Sequence, residues 1–575
     1  MSTEFRKAVV CGVERLRAWS DMLDSLNVFP VPDRDTGRNL SLTLAPLMGF
    51  NNREREETIH QIIRNAYGNA GNIAAQFFAG FLLAESGHDF YQAACRGRNN
   101  AWRAVQDPKP GTMLTVFDAL TEVLQSRELA GEESFFQVSG HLEEAVRGTR
   151  DCLPELRQCG VVDAGALGAF IFLETFVHRL VASPCPLIPV NQKFQGLARS
   201  PGQMAATEQG YCVNATLQSA QTDEASVQRL AEWGDNLVLS SDEGCLSVHV
   251  HTSDIKTVRQ HIQSLGQLVS WSEEDLSAQV ASHATGSSTK LHIMTDAAGS
   301  LTREDSRNYG FTLLDSYILD ANTAYPETLC SSARFYEHMK SGVAMSTSQA
   351  SVHEREQHYQ SVLSQYETVL YLCVGSAYTG NYKVAKSWLE ENGFRDRMRL
   401  IDTGAASGRL GLSVLATACY ARNTQDVEDV VRFARDAILN CREYIFLDKL
   451  LYLAKGGRLS RTSAFFGDLM HMKPVVSPTE EGAVKVGVAR NERNQLQFAR
   501  EGVQEVCGND TSPLIMLEYT DNQEWVESVA CEDMAAAFPA AKIMLQPMSL
   551  TSAAHMGPGT WGISFLPERV GLFFQ

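Results

Sequence analysis

The chain has 575 residues, 44% of them apolar. At about 100–200 residues per domain that predicts roughly three domains with ordinary buried cores. Acidic residues outnumber basic ones 68 to 50, for a formal net charge of -18, which excludes nucleic acid as a bulk partner because phosphate carries the same charge. No stretch reaches the roughly 18 consecutive apolar residues that a membrane span needs. The N-terminus, MSTEFRKAVVCGVERLRAW, is charged and broken up, unlike a signal peptide. The 13 cysteines form no CxxC pair, and in a chain this long they read as reduced thiols, so the expectation is a cytoplasmic protein.

Residues 1–185 read as an all-helical domain. Apolar positions recur every three or four residues over Lys7–Leu26, Glu57–Glu85, Gly111–Arg127 and Gly165–Val181, and strand signals are scarce. A linker with four prolines follows over 183–207. Residues 208–275 form a small α/β segment: GYCVNATLQ and LVLSSDEGCLSVHVHT read as strands, with a helix over VQRLAEWG between them. After a second polar junction, AQVASHATGSSTK, strands alternate with helices over 288–575. That rhythm predicts an α/β domain with a largely parallel sheet, in which ligands sit beyond the carboxyl ends of the strands. The strand-end turns are Thr295-Asp296, Gly375-Ser376 and Asp402-Thr403.

The most informative stretch is NVFPVPDRDTGRN, from Asn27 to Asn39. Pro30 and Pro32 stiffen the approach. Asp33 and Asp35 stand one residue apart, and Gly37 relieves the turn into the next helix. Paired carboxylates on a rigid loop suit Mg²⁺, and free N–H groups at a helix start suit phosphate. Asp and Gly are also ordinary turn and cap residues. Three more glycine-containing segments stand at predicted helix starts: AYGNAGN at 66–72, PGTMLT at 110–115 and GVVDAGALG at 160–168. These four motifs resemble, in order, the NVFPVPDGDTGTN, RGNSGVILSQ, EGTILTV and GVVDAGGxG motifs of the DhaL family, the nucleotide-binding part of dihydroxyacetone kinases. The resemblance implies a helical barrel that binds ATP and Mg²⁺. Asp33 and Asp35 are then the metal ligands, with Asn27 a candidate for a third metal-binding oxygen. Asn39, Gly68, Asn69, Gly71, Gly111 and Thr112 are then the nucleotide-contacting positions. The chain departs from the family at Arg34 (glycine there), Arg38 (threonine), Tyr67 (arginine) and Ala70 (serine). The two new arginines either clamp phosphate, which their forked donors suit, or, at Arg34, pair with an aspartate and weaken the metal site.

In the middle segment His249 and His251 stand at i and i+2 on a predicted strand, so both point to one face. Zn²⁺ favours imidazole and thiolate ligands, and Cys212 lies on an earlier strand; a polar strand face beside a buried thiol fits the same pattern. The order GYC, GDNLVLSSDEG, VHVHT is similar to the middle domain of fatty acid kinases, and that resemblance implies a zinc site at Cys212, His249 and His251.

Residues 288–575 resemble a complete DegV-family domain. The motifs are TDAAGSL, STSQAS at 346–351, GSAYTGN at 375–381, IDT at 401–403, KGGRLS at 455–460 and HMGPG at 555–559. An apolar tunnel suits an alkyl chain, and its carboxylate needs hydrogen-bond donors. The hydroxyls of Thr347, Ser348 and Ser376 supply donors. Arg458 and His555 are the cations for a phosphorylated head group.

Together the resemblances imply a fatty acid kinase and its DegV-type lipid carrier in one chain, phosphorylating a fatty acid carboxylate to acyl-phosphate with ATP and Mg²⁺. The residues expected to act on the reacting groups are Asp33, Asp35, Arg458 and His555. Two alternatives stay open: a non-catalytic fatty-acid-binding or sensing protein with a degenerate kinase domain, and a kinase of the dihydroxyacetone type. Related kinases self-associate, so a homo-oligomer is expected, and lipid exchange would call for transient contact with a membrane.

Overall fold

A computed structural model describes residues 2–52, 54–84, 89–125, 129, 131–198, 210–218, 232, 234–242, 245–276, 291–320, 323–343, 345–424, 426–449, 452–453, 473–508 and 512–567. The chain divides into two compact units, Met1–Ala284 with His353–Ser364, and Thr285–Val352 with Gln365–Gln575. No described helix is long and apolar enough to cross a membrane.

The first unit begins with helices, as the periodicity predicts. Two of the expected long helices are broken. Lys7–Leu26 divides at Trp19 into Thr3–Ala18 and Ser20–Leu26. Glu57–Glu85 divides into Arg55–Arg64 and Gly68–Phe81, because Tyr67 is extended and Gly68 takes a positive φ. The helix Ala164–Leu180 is buried along nearly its whole length. Phe172 and Phe176 from it join Phe5, Phe77, Phe78 and Phe81 in an aromatic core, and Phe77 stacks on Phe117 at 3.8 Å. One buried charged group interrupts this helix. Burial would push Glu174 up, but Arg15 (2.7 Å) and Lys193 (3.1 Å) outweigh burial and hold it below the ordinary carboxylate range. Such a pair is costly to break, since either partner alone would be a buried unpaired charge.

The middle segment forms a four-stranded antiparallel sheet, in the order Asp235–Asp242, Cys245–Thr252, Tyr211–Gln218, Gln267–Asp275. The predicted helix VQRLAEWG lies largely outside the described residues. Strand alternation divides the sheet's faces cleanly. Val213, Ala215, Leu217, Leu246, Val248 and Val250 share a core with Val258 and Ile262 of the helix Ile255–Leu265. Cys212, Asn214, Ser247, His249 and His251 alternate with them and take the other face. That face meets the helices: Val105 bridges Val238, Gln76 donates to Ser240 (2.7 Å), and Ser247 donates to the Ala66 carbonyl (3.1 Å).

Among the described residues the second unit holds three sheets. Met398–Asp402, Thr368–Cys373, Leu291–Asp296 and Phe311–Leu314 form the expected parallel sheet. A six-stranded sheet runs Gly482–Ala489, Lys473–Thr479, Arg442–Phe446, Trp561–Leu566, Leu514–Tyr519, Lys542–Pro547. It is mixed rather than largely parallel. A tight hairpin joins two of its strands, and Trp561–Leu566 inserts antiparallel to both neighbours. A small antiparallel sheet of Thr323–Pro326, Ser316–Asp320 and Met345–Gln349 completes the unit.

Glu327 ties that small sheet to the helix Leu550–Met556. Its carboxylate accepts from the backbone N–H of Thr551 (3.1 Å) and of Ser316 (3.4 Å). Burial, reinforced by Asp315, raises its pKa from 4.5 to about 7. An acid raised in this way favours the folded state most below its unfolded pKa, and that contribution is lost as pH rises toward about 7. The native unit is therefore expected to lose about 1–3 kcal/mol at this residue between pH 5 and pH 8. Glu327→Gln removes the ionisation. Denaturant melts should show the variant gaining on wild type as pH rises, and a constant difference across that range would refute the assignment.

Candidate active site

The turn carrying the aspartate pair is held at both ends. Val28 and Val31 are buried, Val31 against Cys212 and Leu276. Downstream, Asp24 accepts from the backbone N–H of Gly37 (2.6 Å) and of Arg38 (3.1 Å). Two of the N–H groups expected to face phosphate at the start of the helix Thr36–Leu44 are thus already engaged. Gly37 answers to a close approach rather than to the turn: a Cβ there would lie 2.1 Å from the Ser20 carbonyl oxygen. The left-handed residue of the turn is Arg34, at φ 56.

Asp33 and Asp35 line a cavity of about 390 Å³ in the first unit. Burial raises both carboxyls, and each also feels a neighbouring acid: Asp35 acts on Asp33, and Glu274 on Asp35. Asn39 offsets this by hydrogen-bonding Asp35. The Asn27 amide donates to Asp33, and Asn27 also lines the cavity.

Of the residues expected to contact nucleotide, Asn69 and Thr112 line this cavity; Asn39, Gly68, Gly71 and Gly111 do not. The three glycines permit close packing. A Cβ at Gly68 would lie 2.0 Å from Asn39 Nδ2, and one at Gly71 would lie 2.2 Å from Thr43 Oγ1. Gly111, at φ 86, would meet the Cys152 side chain, and its N–H donates to Thr115. Sequence reasoning missed several lining residues: Gln106, Lys109, Asp235 and Asn236, together with Asp163 from the fourth motif. Lys109 follows Asp107-Pro108 just before the PGT motif, and that position was the available signal. Burial raises Asp163 to about 7, while it caps its helix through Ala166 N–H.

His249 stands on the same cavity. Cys212, His249 and His251 come together, their ligand atoms all within 4.8 Å of one another and all three residues buried. The register explains the cluster, pairing Cys212 with His251 and Asn214 with His249 across neighbouring strands. Burial pushes the Cys212 thiol up, and the Asp35 and Asp33 carboxylates push it further. Burial lowers both imidazoles, His251 to about 4. Nε2 of each histidine is buried without a hydrogen-bond partner. Neutral imidazoles with an orphaned nitrogen, beside a thiol, form a donor set that fits Zn²⁺.

The departures at Arg38 and Tyr67 meet at a single acid. Glu274, opposite Cys212 on the adjoining strand, accepts from the Tyr67 hydroxyl (3.0 Å) and pairs with Arg38 at 3.6 Å. Tyr67 also reaches Ser272 (2.7 Å). Arg34 makes no ion pair with either aspartate among the described residues.

In the second unit a cavity of about 300 Å³ is lined by Thr347, Ser348, His555, Tyr378, Ile445, Val476 and Met556, among others. Thr347 Oγ1 lies 3.4 Å from His555 Nε2. Ser407, held at φ 51 on the cavity wall, donates to the buried Glu518 (2.7 Å), which also accepts from Ser300 (2.6 Å). Ser376 does not line the cavity: its hydroxyl and N–H both donate to Asp402. Arg458 lies outside the described residues.

The left-handed backbone at Arg34 costs a residue with a Cβ about 1–2 kcal/mol, partly offset by the greater freedom that a glycine loses on folding. Arg34→Gly is expected to stabilise the first unit by about 0.5–1 kcal/mol. A lower denaturation midpoint for the variant would show that the arginine side chain contributes more than its backbone costs.

Three family models match in succession. The DAK2 domain matches residues 30–178, the fatty acid kinase-like middle domain residues 208–283, and the DegV family of uncharacterised proteins residues 290–568. Among curated relatives, a Staphylococcus saprophyticus protein is 27% identical and Bacillus subtilis protein YloV 29% identical, each over 307 residues. Each alignment covers 48% of this chain and 55% of the relative, so the chain spans about half the length of these relatives. Among solved structures, a DegV family protein from Thermus thermophilus described as fatty acid binding aligns at 22% identity with a TM-score of 0.45, covering 48% of this chain and 99% of that one. DegV of Bacillus subtilis, described as a fatty acid binding protein, aligns at 20% with a TM-score of 0.44, covering 48% and 99%. The chain thus carries, in order, a DAK2 domain, a fatty acid kinase-like middle domain and a DegV-family domain.

Proposed function

We propose that the chain transfers the terminal phosphoryl group of ATP to the carboxylate of a fatty acid, giving acyl-phosphate and ADP. The observation that supports this best is the cavity of the first unit, where Asp33 and Asp35 stand beside Asn27, Asn69, Thr112 and Lys109. Two neighbouring carboxylates and an amide oxygen suit Mg²⁺, which when bound would neutralise phosphate charge. Lys109 would add a positive charge for phosphate, and Asn69 and Thr112 would hydrogen-bond its oxygens. Phe29, Ile73, Val105 and Met113 give the same cavity an apolar wall suited to a base.

The fatty acid would occupy the cavity of the second unit. Its carboxylate would meet the hydroxyls of Thr347 and Ser348 and the imidazole of His555; Ser376 would join them only on releasing Asp402. Arg458 is retained in this reading as a cation for the acyl-phosphate. A carboxylate is already ionised at neutral pH, so the reaction needs little proton chemistry. Positioning and charge neutralisation would do most of the work. Joining both activities in one chain raises the local concentration of one domain near the other, to about millimolar for short flexible connections. Cys212, His249 and His251 would hold Zn²⁺ beside the nucleotide cavity.

The full chain incubated with labelled ATP, Mg²⁺ and oleate should yield a labelled product that hydroxylamine converts to the hydroxamate. Asp33→Asn should lower that rate by about 10²-fold or more. Label appearing on dihydroxyacetone but never on oleate would replace this reading with the dihydroxyacetone one, and activity surviving in Asp33→Asn would remove the metal assignment. Elemental analysis of protein purified without chelator should find roughly one zinc per chain, lost in Cys212→Ser. Zinc-free wild-type protein would remove that site.

A further inference from the structure

The geometry assigns to Asn214 a positioning role that couples metal at Cys212–His249–His251 to the nucleotide loop at Gly68. This rests on the functional reading above, in which the cluster takes a metal and the adjoining cavity takes nucleotide.

Asn214 stands between the two sites and is buried, 6% exposed. Its Oδ1 accepts from the backbone N–H of Gly68 at 2.9 Å. An N–H can only donate, so this contact fixes which end of the amide carries the oxygen. The same Oδ1 lies 2.9 Å from His249 Nδ1. An amide oxygen can only accept, so His249 carries its proton on Nδ1. Its Nε2 then holds the lone pair, and Nε2 is the atom that is buried without a partner. Asn214 thus sets the tautomer in which His249 can ligate through Nε2. The other end of the amide, Nδ2, lies 3.5 Å from Cys212 Sγ. An N–H donor at that sulfur favours the thiolate that a metal requires.

The nucleotide side is equally constrained. Gly68 opens the helix Gly68–Phe81, and the next residue, Asn69, lines the cavity. Gly68 packs so closely on Asn39 that no Cβ fits between them, and Asn39 hydrogen-bonds Asp35. A planar amide cannot turn to follow Cys212 and His249 without moving the oxygen that holds Gly68. Metal at the cluster therefore fixes the Asn214 amide, and the amide fixes the loop. By linkage, nucleotide must strengthen metal binding by the same factor.

The test measures zinc affinity by competition with a chromophoric chelator, and Mg-ADP affinity by calorimetry. Both use the full chain, zinc-loaded or stripped and dialysed. In wild type, stripping zinc should weaken Mg-ADP binding by about 5-fold or more. Asn214→Leu should bind zinc about 10–100-fold more weakly and lose the dependence of each affinity on the other ligand. Asn214→Asp keeps an acceptor for Gly68 and His249 but loses the donor to Cys212. It should retain Mg-ADP affinity while binding zinc more weakly, a split that general destabilisation would not produce and that stands even if Asn214→Leu fails to fold. A wild type that takes up both ligands independently overturns the coupling alone, as does Asn214→Leu with the coupling intact. A wild type that takes up no zinc, or no nucleotide, overturns the functional reading and the coupling with it.

Discussion

Two carboxylates one residue apart, Asp35 buried and Asp33 half-buried, set the terms for the first unit. Asp33 and Asp35 are both raised by burial, and the surroundings add acids: Asp24 bears on Asp33, and Glu274 on Asp35. Removing such charges from water is expensive unless they are paired, protonated or bound to a cation. Of the two arginines nearest in sequence, Arg34 pairs with neither aspartate, and Arg38 is drawn to Glu274 while only partly offsetting Asp35. Among the described residues the aspartates have no strong internal counterion.

The strand register of the middle domain places the second donor set beside the first. Tyr211–Gln218 pairs on one side with Cys245–Thr252 and on the other with Gln267–Asp275. One row across the sheet reads His251, Cys212, Glu274, and another reads His249, Asn214, Ser272. A one-residue slip would exchange this face for the apolar one and destroy both the core and the cluster. The core of Val213, Val248, Val250 and Ile262 therefore enforces the register that the polar face needs.

What was legible in the sequence follows from how local each signal is. The helical first domain, the strand–helix rhythm of the third and the common face of His249 and His251 all depend on spacings of two to four residues. Asp33 and Asp35 were legible because they sit in one turn. What the sequence does not show lies where distant segments meet. Gly68, Gly71 and Gly111 stand in the kinase-like motifs, and each is also a place where another segment approaches too closely for a side chain. Ser376 looks like a free hydroxyl, but Asp402 from the next parallel strand takes it. The six-stranded sheet is mixed because Trp561–Leu566 returns from far along the chain to pair between two earlier strands. Asn214 belongs to no motif, and its importance lies in partners 146 and 35 residues away.

The departures from the kinase motifs also change meaning in three dimensions. Read singly, an arginine for a threonine at 38 and a tyrosine for an arginine at 67 suggest either new phosphate contacts or decay of the site. The structure shows both side chains on Glu274, a residue of a different domain. Two departures on separate segments thus converge on one carboxylate of the middle domain. Arg34 is the exception: it keeps the left-handed backbone a glycine would supply and gains no partner among the described residues in return.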